Sequence, residues 1–375
     1  MTEEPTPLQT VTASNGVQLQ VEVLSTVFNS PKNTWGIGTN YPTVIELQHS
    51  GDANGTLLAT FDVADSGLAG RPTRFRIMES KDGGKSWKKI SEVTETADPS
   101  IEACWNPQLF ELSAPLGDLP AGTLLLAGVS IDPGQKIKSQ ISLWKSTDCG
   151  KHWEQFSIVA EGKGVEEGGV WEPFLWQEGG CLYCFYSDET QSGHDQAIVY
   201  RTTEDGKNWS EPIFAVAAEN PTWRPVMASI TQMGNGQYFM VYELFGDWDG
   251  CPIYYKTADS ITGWVPSDTG TQLLCKDGYF VGSAPWCLWT PAGGECGTLI
   301  VSAVYGSQSP NKLLVSFDYG KTFEAVENPL PYTDGRGGYS ASLFLSADGK
   351  TVYYANNVDG TQDKSRIAFA RIRIE

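Results

Sequence analysis

The sequence predicts an all-β chain built from six similar units, and three observations lead to this. An eight-residue turn recurs, a Pro-containing apolar run recurs at the same spacing, and helical periodicity is almost absent. The turn reads SKDGGKSW from Ser80, STDCGKHW from Ser146, TTEDGKNW from Thr202 and SFDYGKTF from Ser316. Regular repeats of this length are typical of arrays of small β-sheets.

The turn itself predicts a tight hairpin between two short strands. Its Asp can accept hydrogen bonds from backbone amides, its Gly can adopt positive φ, and its aromatic residue can pack beneath the turn. The copies start 66, 56 and 114 residues apart, and the last gap is twice a period of about 57. We therefore expect a worn copy at Thr257, where Asp259 and Trp264 are in register and the Gly is lost.

The second repeat has the same period. The runs that define it are TNYPTVIEL, CWNPQLFEL, VWEPFLWQ, TWRPVMASI and GSAPWCLW, with GGYSASLFL as a sixth that lacks Pro. Each is followed by a Gly-bearing turn and a second apolar run, which gives about four strands per unit. This pattern predicts a six-bladed β-propeller of four-stranded antiparallel blades. We expect one domain over 1–375, with about 1–15 extended and the run VQLQVEVLST completing the sixth blade and closing the ring.

Composition excludes several classes of partner. The chain has 26 Lys and Arg against 45 Asp and Glu, a formal charge of -19. This field repels phosphates, so neither a nucleic acid nor an anionic membrane is expected as a partner. No apolar run approaches the roughly 18 to 20 residues that span a bilayer. The start MTEEPTPLQT has no signal-peptide pattern, yet the composition suits a secreted enzyme. We expect an extracellular location, with a cytoplasmic one left open.

The cysteines and histidines do not predict a metal site. Cys181 and Cys184 form a CxxC pair, but they lie in an apolar run that predicts a strand, where residues three apart point to opposite faces. We expect buried structural thiols there. The three histidines have no metal-ligand spacing. Asp247-Trp248-Asp249 could hold a cation, but an exposed polar loop is the simpler interpretation. We expect no metal and no cofactor.

Propeller geometry brings one position from each unit to a common funnel mouth. The residue before each internal Pro, or its equivalent, begins the strand that lines the central channel. These residues are Tyr41, Asn106, Glu172, Arg224, Ala284 and Tyr339. Pro is tolerated there as one of the first residues of a strand. Trp105, Trp171 and Trp223 stand one position earlier in three consecutive units. They are either platforms for a sugar ring or packing between blades.

The ends of the second strands face the same mouth. They are Asp62, Ser130, Ser187, Glu243, Tyr305 and Asn356. Glu172 and Glu243 therefore converge from neighbouring blades, which is the arrangement that glycoside hydrolysis requires. One carboxyl moves a proton at the glycosidic oxygen, and the other attacks the anomeric carbon or activates water. The apolar neighbours of Glu172 favour its protonated form, so we expect Glu172 as acid/base and Glu243 as nucleophile.

The four intact turns resemble the Asp-boxes of the sialidase-like propellers, and the resemblance covers essentially the whole chain. Asp-boxes indicate architecture and say little about activity. Sialidases grip the sialate carboxylate with three arginines, the first in the opening blade, where this chain has Asn40-Tyr41-Pro42-Thr43. Arg71, Arg224 and Arg336 remain candidates, and Tyr339 with Glu243 resembles the Tyr–Glu nucleophile pair. A sialidase therefore stays open as an alternative.

A closer resemblance is to glycoside hydrolase family 93, the exo-α-1,5-L-arabinanases. It is carried by VWEPFLW, VYELFG, CWNPQLFEL and RPVMASI. The resemblance implies a six-bladed propeller that releases arabinobiose from the non-reducing end of linear arabinan with retention, using Glu172 and Glu243. It also implies substrate contacts from Tyr41, Asn106, Arg224, Tyr339 and the flanking Trp105, Trp171 and Trp223. A non-catalytic glycan-binding propeller is the third hypothesis, and a monomer is the default.

Overall fold

Apolar runs that are buried on both faces form the middle of each repeat. Leu57–Val63 and Leu124–Ile131 are buried at every position, as strands are when both faces of their sheet are covered. In the computed structural model of the protein these strands lie in four-stranded antiparallel sheets. The structure describes residues 9–29, 39–63, 74–132, 134, 137–164, 167–246, 250–308, 310–331, 340–361 and 364–375.

Each sheet of four or five strands is one blade, numbered by its order along the chain. Two strands precede blade 1, namely β1 (Thr10–Thr12) and β2 (Gln18–Asn29). Blade 1 contains β3 (Thr39–Glu46), β4 (Leu57–Val63), β5 (Phe75–Ser80) and β6 (Lys88–Val93). Blade 2 contains β7 (Glu102–Glu111), β8 (Leu124–Ile131), β9 (Ser139–Ser146) and β10 (Glu154–Gly162). Blade 3 contains β11 (Val170–Glu178), β12 (Cys181–Asp188), β13 (Ala197–Thr203) and β14 (Ile213–Val216).

The later blades repeat this meander with two additions. Blade 4 contains β15 (Arg224–Gln232), β16 (Tyr238–Phe245), β17 (Ile253–Ala258) and β18 (Thr271–Gln272). In blade 5 a separate pair, β19 (Val281–Gly282) and β22 (Tyr305–Gly306), accompanies β20 (Trp286–Thr290), β21 (Thr298–Ser302), β23 (Lys312–Ser316) and β24 (Glu324–Glu327). Blade 6 contains β25 (Ser342–Leu345), β26 (Thr351–Thr361) and β27 (Lys364–Ile374).

The N-terminal segment closes the ring, as predicted. Strand β2 pairs antiparallel with β27, so the sixth sheet has the order β1-β2-β27-β26-β25. The closure is also fixed at the axis, because the backbone amide of Val44 in blade 1 donates to Ser342 Oγ in blade 6 at 3.2 Å. Similar bonds join inner strands elsewhere, from Leu109 N to Thr43 Oγ1 at 3.2 Å and from Cys287 N to Ser229 Oγ at 3.1 Å.

The hydrophobic core is divided between the blades. Among the described residues one large apolar cluster fills each of the six interfaces between neighbouring sheets. A small seventh cluster of Val226, Met227 and Ala284 lies where the inner strands meet. Within the described residues no helix is long and apolar enough to cross a membrane. The prediction of an all-β six-bladed propeller is confirmed.

The four intact Asp-box turns connect the two outer strands of their blades. In the first, Asp82 accepts hydrogen bonds from the amide and hydroxyl of Ser86 at 3.0 and 2.6 Å. Gly84 has φ +87°, and a Cβ there would lie 2.1 Å from the ring of Phe369 in the neighbouring blade. The glycine is therefore required both for the turn and for close packing of blades.

The worn copy after β17 is built differently. Asp259 accepts a bond from Gln237 Nε2 at 3.2 Å. The loop is held instead by the buried ammonium of Lys256, which donates to the carbonyl oxygens of Val265 and Asp268 at 2.6 Å each. Lys256 thus holds this loop by donating hydrogen bonds to its carbonyl oxygens, whereas the aspartate of an intact turn accepts hydrogen bonds from its amides. Trp264 is buried, as the repeat predicts.

Candidate active site

The inner strands share an unusual backbone feature at one height around the axis. Each contains a non-glycine residue with positive φ or, in blades 5 and 6, closely follows one, and we call the set the left-handed ring. Its members are Tyr41 (48°), Asn106 (57°), Glu172 (54°), Met227 (60°), Ser283 (62°) with Ala284 (45°), and Ser340 (64°). Left-handed backbone at such residues costs of order 1–3 kcal/mol each and is concentrated at functional sites.

The strain arises from a bulge in the inner strand. In blade 3 the pairing of β11 with β12 skips between Trp171 and Phe174, which leaves Glu172 and Pro173 outside the ladder. Proline has no amide hydrogen to offer the ladder, so a bulge accommodates it. Pro42, Pro107 and Pro173 lie at such bulges within their strands, and for these three the expectation that they stand at the start of a strand is corrected. Pro225 is the second residue of β15 and pairs with Leu244, and Pro285 directly precedes β20.

Five members of the left-handed ring line a central cavity of about 40 Å³. These are Tyr41, Asn106, Glu172, Met227 and Ser340. Trp286, which sequence reasoning did not select, also lines it. The Trp286 indole packs edge-on against Phe174 with 5.6 Å between ring centroids, and its Nε1 donates to Leu343 O at 3.0 Å. In the sequence, its position two residues after Ala284 could have indicated that it lies at the mouth.

Side chains at the ends of second strands hold the ring of the following blade. Ser187 Oγ accepts the amide of Met227 at 3.1 Å, and Glu243 Oε2 accepts the amide of Ala284 at 2.8 Å. Asp62 likewise accepts the backbone amide of Asn106. These bonds satisfy donors that the bulges release from their ladders. Asp62, Ser187 and Glu243 thus occupy equivalent places, as predicted.

Blade 2 departs from this register. Trp105, the residue before its bulge, pairs with Val129, and Ser130 lies one position further along β8 opposite Ala103. Ser130 Oγ donates to the carboxylate of Glu95 at 2.7 Å. The prediction that Ser130 is equivalent to Ser187 is therefore off by one residue, because β7 carries an additional irregularity that the sequence pattern does not show.

Glu172 has the electrostatic setting of a proton-exchanging carboxyl. The residue is partly exposed, but its Oε2 is buried and has no hydrogen-bond partner. Burial raises its pKa to about 7; a hydrogen bond from Ser187 opposes the rise, and the charges of Glu243 and Glu189 add to it. The sequence prediction of a raised pKa at Glu172 is confirmed. The influence of Glu243 on the pKa of Glu172 also indicates that the two carboxyls lie near each other.

Glu243 is completely buried. Burial raises its pKa, and the amide of Ala284, the Ser283 hydroxyl and the Cys251 thiol oppose that rise. Its Oε1 is buried and has no hydrogen-bond partner. A buried carboxyl surrounded by donors and facing a second carboxyl is suited to sharing a proton with it.

Asp62 is a third buried carboxyl on this face. Its Oδ1 accepts the amide of Asn40 at 2.7 Å, and burial raises its pKa to about 7 despite the bonds from Asn40 and Asn106. Sequence reasoning placed Asp62 at the mouth without assigning it a role. The strand-end position was the available signal.

Blade 4 corrects the predicted position of Arg224. The bulge of β15 falls between Val226 and Ser229, so Met227 occupies the place of Glu172. Arg224 lies three residues earlier, paired with Phe245. Pro225 is therefore not equivalent to Pro173, and alignment by proline failed in this blade. Arg224 still acts near the site, since it forms an ion pair with Glu189 and its charge lowers the pKa of Glu172.

The three predicted tryptophans pack against the blades. Trp105 and Trp171 contact each other with 6.0 Å between ring centroids, and both belong to the cluster between blades 2 and 3. Trp171 is buried, and Trp105 is the more exposed. Trp223 packs against the next cluster; because of the shifted bulge it is Val226, not Trp223, that is equivalent to Trp171.

Several predicted positions lie outside the described residues. These are Tyr339, Arg71, Arg336 and the segment Asp247-Trp248-Asp249. In the described part of the chain no group of three or more His, Cys, Asp or Glu side chains is placed to hold a metal ion. Cys181 and Cys184 are free thiols, and Cys184 is buried. The prediction that this pair does not form a bridge is confirmed.

Comparison with known proteins agrees with this architecture. Residues 55–242 match the BNR repeat-like domain family. No curated protein matches the chain. Among solved structures, the intramolecular trans-sialidase from Ruminococcus gnavus has a TM-score of 0.59 at 11% identity, covering 93% of this chain and 97% of its own. At that identity the likeness concerns the fold alone.

Two fungal enzymes are much more similar. The α-L-arabinanase of Penicillium chrysogenum, solved with arabinobiose, is 30% identical with a TM-score of 0.83, and the match covers 94% of this chain and 98% of that one. The GH93 α-L-arabinofuranosidase of Fusarium graminearum, also solved with arabinobiose, is 27% identical with a TM-score of 0.82 and the same coverage. Fold, carboxyl pair and relatives define a glycoside hydrolase of the BNR-repeat propeller class. Within that class, the chain belongs to glycoside hydrolase family 93.

Proposed function

We propose that the enzyme hydrolyses linear α-1,5-L-arabinan from the non-reducing end and releases arabinobiose with retention of configuration. The observation that carries the proposal is the pair of buried carboxyls, Glu172 and Glu243, which project from neighbouring blades and interact electrostatically. The arabinobiose bound to the Penicillium and Fusarium relatives supports the choice of substrate. An extracellular location and a monomeric state stay predictions.

The chemistry is a double displacement. One carboxylic acid protonates the glycosidic oxygen while the other carboxylate attacks the anomeric carbon, and water then releases the sugar with the first group as base. In the free enzyme the charge of Glu243 raises the pKa of Glu172, so that the pair retains one proton near neutral pH. Retention further predicts that the carboxyls are separated by about 5–5.5 Å when substrate is bound.

The other predicted contacts orient the substrate in this proposal. Asn106 and Tyr41 line the cavity beside Glu172. We propose that they hydrogen-bond to the arabinofuranose units, together with Arg224 and Tyr339. The proposed stacking partners of the sugar rings are Trp105, Trp171 and Trp223. Of these, Trp105 is more exposed than Trp171.

The test is a product profile on linear arabinan with Glu172→Gln and Glu243→Gln. Each substitution should reduce arabinobiose release by about 10²–10⁴-fold, the usual contribution of a positioned acid or base. Glu154→Gln is the matched control, because Glu154 is an exposed residue of an outer strand. Full activity in either active-site variant would sink the site assignment, and arabinose as the sole product would refute the proposed product length.

Azide assigns the individual roles. It should restore turnover of an activated arabinoside in both variants. The variant without the nucleophile should yield the glycosyl azide of inverted configuration, and the variant without the acid/base should yield the retained one. Proton NMR of the wild-type reaction tests retention directly. A sialoside serves as the negative control substrate, and its hydrolysis would favour the sialidase alternative.

A further inference from the structure

Cys251 is a half-buried thiol outside the carboxyl pair, between β16 and β17. It lies close to the carboxyl of Glu243. Burial raises the pKa of Glu243 and the thiol opposes that rise, while burial and the negative charge of Glu243 both raise the pKa of the thiol. Seven cysteines are described as free thiols. Cys251 is of interest because it lies close to Glu243, a proposed catalytic group.

The backbone at Cys251 is fixed on both sides. Its carbonyl oxygen accepts the amide of Ser283 at 2.9 Å, and its own amide donates to the hydroxyl of Tyr305 at 2.9 Å. Ser283 and Ala284 form the strained step of the left-handed ring in blade 5. Cys251 therefore connects Glu243 to the segment whose amide binds the same carboxylate.

Tyr305 is held in place by a glycine. It pairs with Gly282 across the short ladder of β19 and β22. A Cβ at Gly282 would lie 2.2 Å from Cζ of Tyr305, so the phenol packs directly on the backbone there. This contact directs the hydroxyl to the amide of Cys251. The added β19–β22 pair of blade 5 thus has a local consequence at the carboxyl of Glu243.

We propose that Cys251 and Tyr305 are positioning residues that set the orientation of the Glu243 carboxyl. The thiol of Cys251 interacts with the carboxylate of Glu243, and the hydroxyl of Tyr305 accepts the Cys251 amide and so fixes the backbone that carries the thiol. This inference rests on the proposed catalytic role of Glu243. Among the described residues, Cys251 acts on this carboxyl, and the charge of Glu243 in turn affects Glu172 and Tyr305. Glu189 and Arg224 act on its partner Glu172.

The test compares Cys251→Ala, Cys251→Ser and Tyr305→Phe in the full chain on linear arabinan. Cys251→Ala should lower kcat about tenfold, the scale of one hydrogen bond to a charged group, with KM within twofold. Because the thiol favours the carboxylate, its loss should move the pH profile of kcat/KM so that the pKa reporting Glu243 is higher. Serine should restore most of the rate, and Tyr305→Phe should shift the profile in the same direction.

Cys296→Ala is the matched control, since Cys296 is another half-buried free thiol. In a Glu243→Gln background, Cys251→Ala should cause no further loss, because both changes remove the same interaction. If Glu243→Gln is inactive but Cys251→Ala and Tyr305→Phe keep the wild-type kcat and pH profile, the inference is overturned while the proposed function stands. If Glu243→Gln is fully active, the proposed function itself fails. Thermal midpoints of the variants separate misfolding from repositioning, and Tyr305→Phe decides the matter if Cys251→Ala does not fold.

Discussion

Glu243 Oε2 accepts the backbone amide of Ala284 at 2.8 Å, and this bond joins the second strand of blade 4 to the strained step of blade 5. The same side chain is one of the two proposed catalytic carboxyls. Its orientation therefore depends in part on the neighbouring blade. The equivalent bonds of Ser187 to Met227 and of Asp62 to Asn106 show that this coupling recurs between blades 3 and 4 and between blades 1 and 2.

Ionisation of Glu172 should destabilise the folded enzyme. Its folded-state pKa is raised from 4.5 to about 7, so the stability it contributes is complete below pH 4.5 and is lost as the pH rises through 7. Glu172→Gln should be more stable than wild type at pH 8, by at most roughly 3 kcal/mol, and about equal at pH 4.5. Urea unfolding at the two pH values measures this, and an equal difference at both would contradict it.

Ionisation of Asp62 should also destabilise the folded protein as the pH rises, and Asp62 has a structural role in addition. Asp62→Asn keeps an oxygen acceptor for the amides of Asn40 and Asn106 and removes the ionisation, so it should stabilise the protein at pH 8 relative to pH 4. Asp62→Ala leaves both buried amides unpaired, which should cost about 2–4 kcal/mol at either pH. Thermal unfolding of the two variants checks the prediction, and a stable Asp62→Ala protein would disprove the role in holding the ring.

Trp171 should matter for stability. Because it is buried between blades 2 and 3, Trp171→Ala should lose about 3–5 kcal/mol of unfolding free energy, the usual cost of removing a core tryptophan. Trp171→Phe should recover a large part of the loss. A raised KM for arabinan with unchanged stability in Trp171→Phe would instead favour the sugar-platform hypothesis. Trp105→Ala, at the more exposed partner, is the comparison variant.

The intact turns should be separable from catalysis. Asp318 accepts the amide of Thr322 at 2.9 Å and its hydroxyl at 2.6 Å. Asp318→Ala should destabilise the protein by about 1–2 kcal/mol with kcat for arabinan unchanged at a temperature where the variant is folded. Asp318→Asn is the control that keeps an acceptor. A specific loss of kcat in the folded Asp318→Ala protein would show that the turn contributes to the reaction.

Lys256 should be essential to the worn turn of blade 4. Lys256→Met keeps the aliphatic stem but leaves the buried carbonyl oxygens of Val265 and Asp268 without their donor, which should cost about 2–4 kcal/mol. Lys256→Arg tests whether any cation suffices. Protection from proteolysis around 259–270 reports on this loop directly, and wild-type protection in Lys256→Met would refute the assignment.

The sequence by itself determined the blade count, the closing strand and the approximate place of the mouth. These follow from local chemistry, because a turn that needs Asp and Gly at fixed offsets, or a proline that cannot join a ladder, leaves a readable trace in each repeat. The same register correctly placed Asp62, Ser187 and Glu243 at equivalent strand ends, and the apolar neighbours of Glu172 correctly predicted its raised pKa.

Only the tertiary structure decided which residues the site contains in blade 4 and blade 5. Met227 takes the place predicted for Arg224 in the left-handed ring, because the bulge of β15 falls at Met227, three residues further along the strand. Only the structure places Cys251 near Glu243 and joins its amide to the hydroxyl of Tyr305. The repeat register had placed Tyr305 at the mouth, but the short β19–β22 ladder that holds it is too brief to leave a pattern. Such contacts join different blades, and the position of one blade against the next is set by packing across the whole interface, which no single repeat encodes.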